Sequence, residues 1–106
     1  MKKKSNIYYL FEYTIEGEKA SRQIINRTTR KRQCEKALQD TATKIINSTA
    51  AENNPMSTCI ELNQSTSVVT KNKATLLVIT TDVKHDQTSF FELLQNKKAE
   101  HEKRYV

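Results

Sequence analysis

Two stretches of the chain are densely apolar and rich in β-branched residues, Ile7–Ile15 and Ala74–Val83, and the rest of the pattern is arranged around them. In the first, Ile7, Tyr9, Phe11, Tyr13 and Ile15 share one face of an extended strand, and Tyr8, Leu10, Glu12 and Thr14 share the other. Glu16-Gly17 holds the only glycine, placed where a hairpin needs a residue free to take positive φ. Lys19 to Arg27 then reads as the returning strand, with Ile24 and Ile25 on opposite faces. Thr28 or Thr29 is the expected N-cap of a first helix. Its apolar stripe is Cys34, Ala37, Leu38, Ala42, Ile45 and Ile46, and its end is expected near Asn47 or Ser48, ahead of the polar connection Thr49–Pro55.

Alternation resumes at Thr58–Leu62, with Ile60 and Leu62 expected to point inward. Residues 63–70 either continue that strand through Val68 or turn and start a separate short one, and Lys71-Asn72-Lys73 is a turn. In Ala74–Val83, Leu76 and Val78 fall on one face and Leu77, Ile79 and Val83 on the other. Apolar residues on both faces mark a central strand, or one whose second face meets a partner. His85-Asp86-Gln87 leads into a second helix, with Asp86 as a capping residue. Ser89 and Glu92 also stand at capping-box spacing, ahead of Phe90, Phe91, Leu93 and Leu94. Beyond Leu94 the chain is charged and reads as a solvated helix extension or a disordered tail, with His101 in it.

The order ββαβ(β)βα predicts an α+β fold. The expected architecture is a two-layer sandwich, an antiparallel sheet of four or five strands with two helices on one face. Residues 1–6 read as a basic flexible N-terminus, 6–96 as the single domain and 97–106 as the charged tail or helix extension. At 106 residues and 36% hydrophobic content the core is lean, and homodimerisation is one way to hide more surface. No apolar run is long enough to span a bilayer, and the Met-Lys-Lys-Lys start lacks the continuous apolar core of a signal peptide because Glu12 interrupts it. Two cysteines, Cys34 and Cys59, fit reduced, packed thiols better than a disulfide framework, which points to a cytoplasmic protein.

Charge changes the picture most. Residues 1–36 carry ten Lys and Arg against four acids, whereas residues 37–106 carry eight of each sign, so the whole net charge of +6 lies in the first third. Arg22, Arg27, Arg30, Lys31 and Arg32 gather where the second strand hands over to the first helix, with Lys2, Lys3 and Lys4 as a mobile addition. A cation in the first turn opposes the helix dipole by about 0.3–1 kcal/mol when exposed. Cations placed there suit an anion, and phosphate is the common case. The pattern predicts a nucleic-acid or anion-binding surface made of those five residues. Tyr8 and Leu10, on the face opposite the main aromatic row, form a candidate contact patch.

Catalytic and metal motifs are missing from the sequence. His85-Asp86 with Ser89 nearby does not amount to a triad, and Cys34, Cys59, His85 and His101 lack metal-ligand spacing. No Gly-rich phosphate loop, nucleophile elbow or paired-carboxylate motif occurs, and one glycine cannot supply the Gly/aromatic signature of the common RNA-recognition sheet. No catalytic residue, metal or cofactor is assigned. The expected function is a non-enzymatic binding module for a nucleic-acid phosphate backbone, DNA or RNA. The alternative is a protein-interaction or inhibitor module that binds an acidic protein surface or self-associates through an exposed sheet face. A small nuclease with scattered Arg, His and Glu residues is a third class.

Overall fold

The computed structural model describes residues 6–61 and 65–105. Its elements are β1 (Tyr8–Glu16), β2 (Lys19–Thr28), α1 (Lys31–Ala51), β3 (Ser57–Glu61), β4 (Ser65–Val69), β5 (Lys73–Thr80) and α2 (Gln87–Tyr105). The five strands form one antiparallel sheet in the order β2-β1-β5-β4-β3, so the chain is α+β. Gly17 turns the first hairpin at φ +61°, as the first central position of a two-residue loop between Glu16 and Lys19 requires. Within the ambiguous stretch Ser65–Val69 forms a separate strand, β4, and β5 ends at Thr80, leaving Val83 exposed beyond it.

Alternation along β1 and β5 divides the core in two. Phe11, Tyr13, Ile15, Leu76 and Val78 pack with Val69, Ala74 and the α2 residues Phe90, Phe91, Leu93 and Leu94. Leu10, Leu77 and Ile79 pack with Cys34, Leu38, Ala42, Ala37 and Ile45 of α1. Neighbours in a strand point to opposite faces, so the two helices lie on opposite sides of the sheet. This corrects the expected placement of both helices on one face: β5 is buried from Ala74 to Ile79, and no single layer can cover alternate residues on both sides. The second face of β5 therefore meets the chain's own helix, which removes that strand as a self-association surface.

Topology explains why α1 is long. Across this sheet β2 and β3 run parallel and occupy opposite edges, so the link between them must return the length of the sheet as well as cross it. Twenty-one helical residues reach about 31 Å, against about 19 Å for five strands side by side. The helix outruns the expected end at Asn47 or Ser48 and stops at Ala51, where Asn53 takes a left-handed conformation (φ 56°) and returns its N–H to the Ala50 carbonyl.

The edge strand β3 lies beyond the cover of α1. Ile60, expected inward, is 73% exposed, because its ladder position (opposite Thr66, itself opposite Leu77) puts it on the α1 side where the helix no longer reaches. Leu62, paired with it in the expectation, lies outside the described residues. At α2 the cap is Asp86, which accepts from the Thr88 N–H (3.0 Å) and the Ser89 hydroxyl (3.1 Å). Ser89 is thus the third helical residue and not the cap of a Ser89–Glu92 box. The helix continues to Tyr105, so the charged segment is a helix extension, and His101 within it is buried at 3% exposure against Ser57.

Cover on both faces gives a direct test. Leu76→Ala and Leu77→Ala are each expected to cost about 2–5 kcal/mol in urea denaturation, since each empties a filled site on its own side of the sheet. A near-neutral result for either one would show that face to be open.

Candidate nucleic-acid interface

The five basic residues named from sequence are all exposed, but they do not share one face. Their placement is decided by a bulge in the first hairpin. Leu10 pairs with Asn26 and Phe11 with Ile24, which leaves Ile25 as an extra residue in β2. Without it, strand periodicity would put Arg22 and Arg27 on opposite sides. With it, Arg22 stands opposite Tyr13, Ile24 opposite Phe11 and Arg27 opposite Tyr9, all on the α2 side, while Ile25 packs toward α1. Helix α2 packs on β1, β5 and β4, and the α2-facing side of β2 projects past it as a shelf: Arg22, Ile24 and Arg27 are exposed, Ile24 at 52%.

Aromatic side chains from β1 support that shelf. The Arg22 guanidinium lies 4.9 Å from the Phe11 ring centre, and that of Arg27 lies 6.0 Å from Tyr9. Arg22 also neighbours the Tyr13 hydroxyl. Burial pushes the Tyr13 pKa up, and the Arg22 guanidinium pulls it part of the way back. On its other side the Tyr13 hydroxyl is hydrogen-bonded to Nε2 of His85. Nδ1 of His85 stands 2.7 Å from the Asp82 carbonyl, which can only accept, so Nδ1 carries the proton and Nε2 accepts from Tyr13. The imidazole is held edge-on between Phe11 (4.8 Å) and Phe90 (5.1 Å). His85 thus braces Tyr13, and Tyr13 and Phe11 together flank Arg22. Sequence reading treated His85 as a feature of the helix start; its role follows from a contact with Tyr13, 72 residues away, which only the sheet topology brings about.

Arg30, Lys31 and Arg32 sit where β2 enters α1. Arg30 is the N-cap, in an extended conformation and without a side-chain cap hydrogen bond, and Lys31 and Arg32 begin the helix with no acid in the first turn. Neither threonine is the N-cap. Instead, the Thr28 hydroxyl accepts from the Arg30 N–H (3.1 Å) and donates to the Gln33 side chain (3.1 Å), holding the junction from two residues further back. Lys31 joins Tyr8, Ile79, Thr80 and Thr81 around a shallow recess of about 220 Å³.

The contact patch expected from Tyr8 and Leu10 does not form. Leu10 is completely buried against Cys34 and Leu38, because α1 covers the face that sequence periodicity left open. Tyr8 is half-buried on the same side. Cys34 is likewise enclosed, and burial pushes its thiol pKa up, with Glu35 adding to the shift. The N-terminal lysines, Lys2 to Lys4, lie outside the described residues.

A second polar cluster lies at the far edge, where Lys97 reaches across from α2 to Glu61 of β3 (2.8 Å). The Lys97 hydrogen bond is the main cause holding Glu61 below the ordinary carboxylate range, and Cys59 assists. Burial, the largest single influence, would lower the Lys97 pKa, but Glu61 and Cys59 together outweigh it and the pKa is raised. Among the described residues, no group of His, Cys, Asp and Glu side chains could hold a metal ion, and no helix is long and apolar enough to cross a membrane. Comparison with protein-family models, curated proteins and solved structures gives no match for this chain.

Two measurements probe these clusters. Tyr13→Phe strips the donor from Nε2 of His85 and is expected to cost about 1–3 kcal/mol in chemical denaturation, with a change in the His85 ring ¹⁵N shifts. At the far edge, a depressed Glu61 pKa means that its ion pair adds stability above the ordinary value of 4.5, which is lost as pH falls through the folded-state value. With the Glu61 side chain 43% exposed the gain is small, so Glu61→Gln is expected to lower stability by under about 1 kcal/mol at pH 7 and to flatten the decline below pH 4.5.

Proposed function

We propose that this protein is a small, non-enzymatic, cytoplasmic binding module that holds a nucleic-acid phosphate backbone along the β2 edge and the start of α1. The observation that carries the reading is the charge of that edge. From Lys19 to Cys34 the chain has six cations and no acid, and all six cations are exposed. Among the described residues the ion pair joins Lys97 to Glu61 at the opposite edge, and none of the six cations is in an ion pair within 4.0 Å. Arg22 and Arg27 occupy one side of the edge and Arg30, Lys31 and Arg32 its end, an arrangement suited to a polyanion wrapping the edge more than to a flat contact. Backbone contact of this kind releases counterions and carries little base information.

A second reading, an acidic protein surface as partner, draws on Ile24, which supplies an apolar anchor among the cations. Its signature is capture from cell extract that survives nuclease treatment.

With five phosphates engaged, log K is expected to fall against log salt with a slope of about −4 to −5 on duplex DNA, and Arg22→Ala to reduce its magnitude by about 1. Filter binding on generic DNA and RNA over a salt series measures both. No retention at low salt would end the nucleic-acid reading.

A further inference from the structure

We propose that the shelf formed by Arg22, Ile24 and Arg27 binds single-stranded nucleic acid, with bases stacked on the outer faces of the two guanidinium groups and packed against Ile24. This rests on the nucleic-acid reading above and names the form of the ligand.

The Arg22 guanidinium carbon stands 4.9 Å from the Phe11 ring centre and that of Arg27 6.0 Å from Tyr9, so each cation has an aromatic neighbour on the sheet side. The side chains themselves are exposed, and a planar cation backed by a ring offers its outer face to another planar group. Arg22 is further held from the side by Tyr13, which His85 fixes in turn. A guanidinium prepared in this way loses little side-chain freedom when a base settles on it. Between the two arginines the same face presents Ile24, an apolar surface of no use to a phosphate. Cation, apolar side chain and cation therefore alternate along about 14 Å of strand.

A single strand supplies a counterpart for each part: base faces for the guanidinium planes and Ile24, and phosphates for the guanidinium N–H groups at their rims. A duplex hides its base faces inside the stack and turns phosphates outward, leaving Ile24 and the guanidinium planes without a counterpart. Single strands expose those faces, and recognition by stacking on aromatic rings or arginine planes is how proteins hold them. The charge complementarity is supplied by the acid-free run Lys19–Cys34.

Fluorescence anisotropy at fixed salt tests this with four probes of equal length: a single-stranded oligonucleotide, its duplex, an abasic strand and inorganic polyphosphate, with polyglutamate as a fifth. The single strand is expected to bind at least about tenfold more tightly than the duplex, the abasic strand or polyphosphate. The double variant Arg22→Lys with Arg27→Lys keeps the charge and loses the planes, so it is expected to abolish the preference while keeping the salt slope. Ile24→Ser should weaken the single strand alone. All three positions are exposed, and an unchanged thermal melt verifies that the variants fold. Equal binding of duplex or abasic strand overturns the single-strand proposal and leaves the backbone reading standing. Failure of every nucleic-acid probe overturns both, and polyglutamate binding in their place supports the acidic-protein reading.

Discussion

Both faces of β1 and β5 must be kept from water, and the rest of the architecture follows from that demand. Leu10 and Phe11, or Leu76 and Leu77, are adjacent in the chain and face opposite ways, yet each of the four is fully or almost fully buried. One helix can satisfy only one set. The chain supplies two, α1 covering β2, β1, β5 and β4 on one side and α2 covering β1, β5 and β4 on the other, so 106 residues yield two thin core layers on a shared sheet. A lean apolar content is adequate because the central strands serve both layers.

The helices cover the sheet unequally at its margins. On the α2 side, cover stops short of β2, and the shelf of Arg22, Ile24 and Arg27 is what remains uncovered. On the α1 side, cover stops short of β3, where Ile60 protrudes. At β3 the α2 side is closed by polar contacts, Lys97 with Glu61 and His101 with Ser57, so the second half of α2 docks through hydrogen bonds where its first half docks through Phe90, Phe91 and Leu94. The acid-free basic run Lys19–Cys34 belongs to one margin and the Lys97–Glu61 ion pair to the other.

Much of the fold was legible in residue patterns. Alternation located the strands, the lone glycine located the first hairpin, and the apolar stripe from Cys34 to Ile46 marked α1. The pattern in Ala74–Val83 already held the two-sided burial of β5; a single covering layer was the wrong inference from it, since strand periodicity says which residues share a face and not what covers it. Basic residues were legible as a run, whereas their division between shelf and helix start was not. The side that Arg27 takes depends on one unpaired residue, Ile25, whose bulge leaves no mark on composition. His85 and Tyr13 were equally hidden, because local sequence carries no information about a partner 72 positions away.

The bulge also has a meaning for how this chain tolerates change. Between Ile25 and the helix, β2 is out of phase with its first half, so the strand works as two segments of opposite parity joined at one residue. An insertion or deletion elsewhere in a surface strand usually trims or extends an edge. At Ile25 it would act as a polarity switch, exchanging the faces of Asn26, Arg27 and Thr28 together and rotating the anchor from which α1 departs. The chemistry of the edge is therefore written in strand phase as much as in residue identity, and two chains of the same composition could present opposite surfaces there.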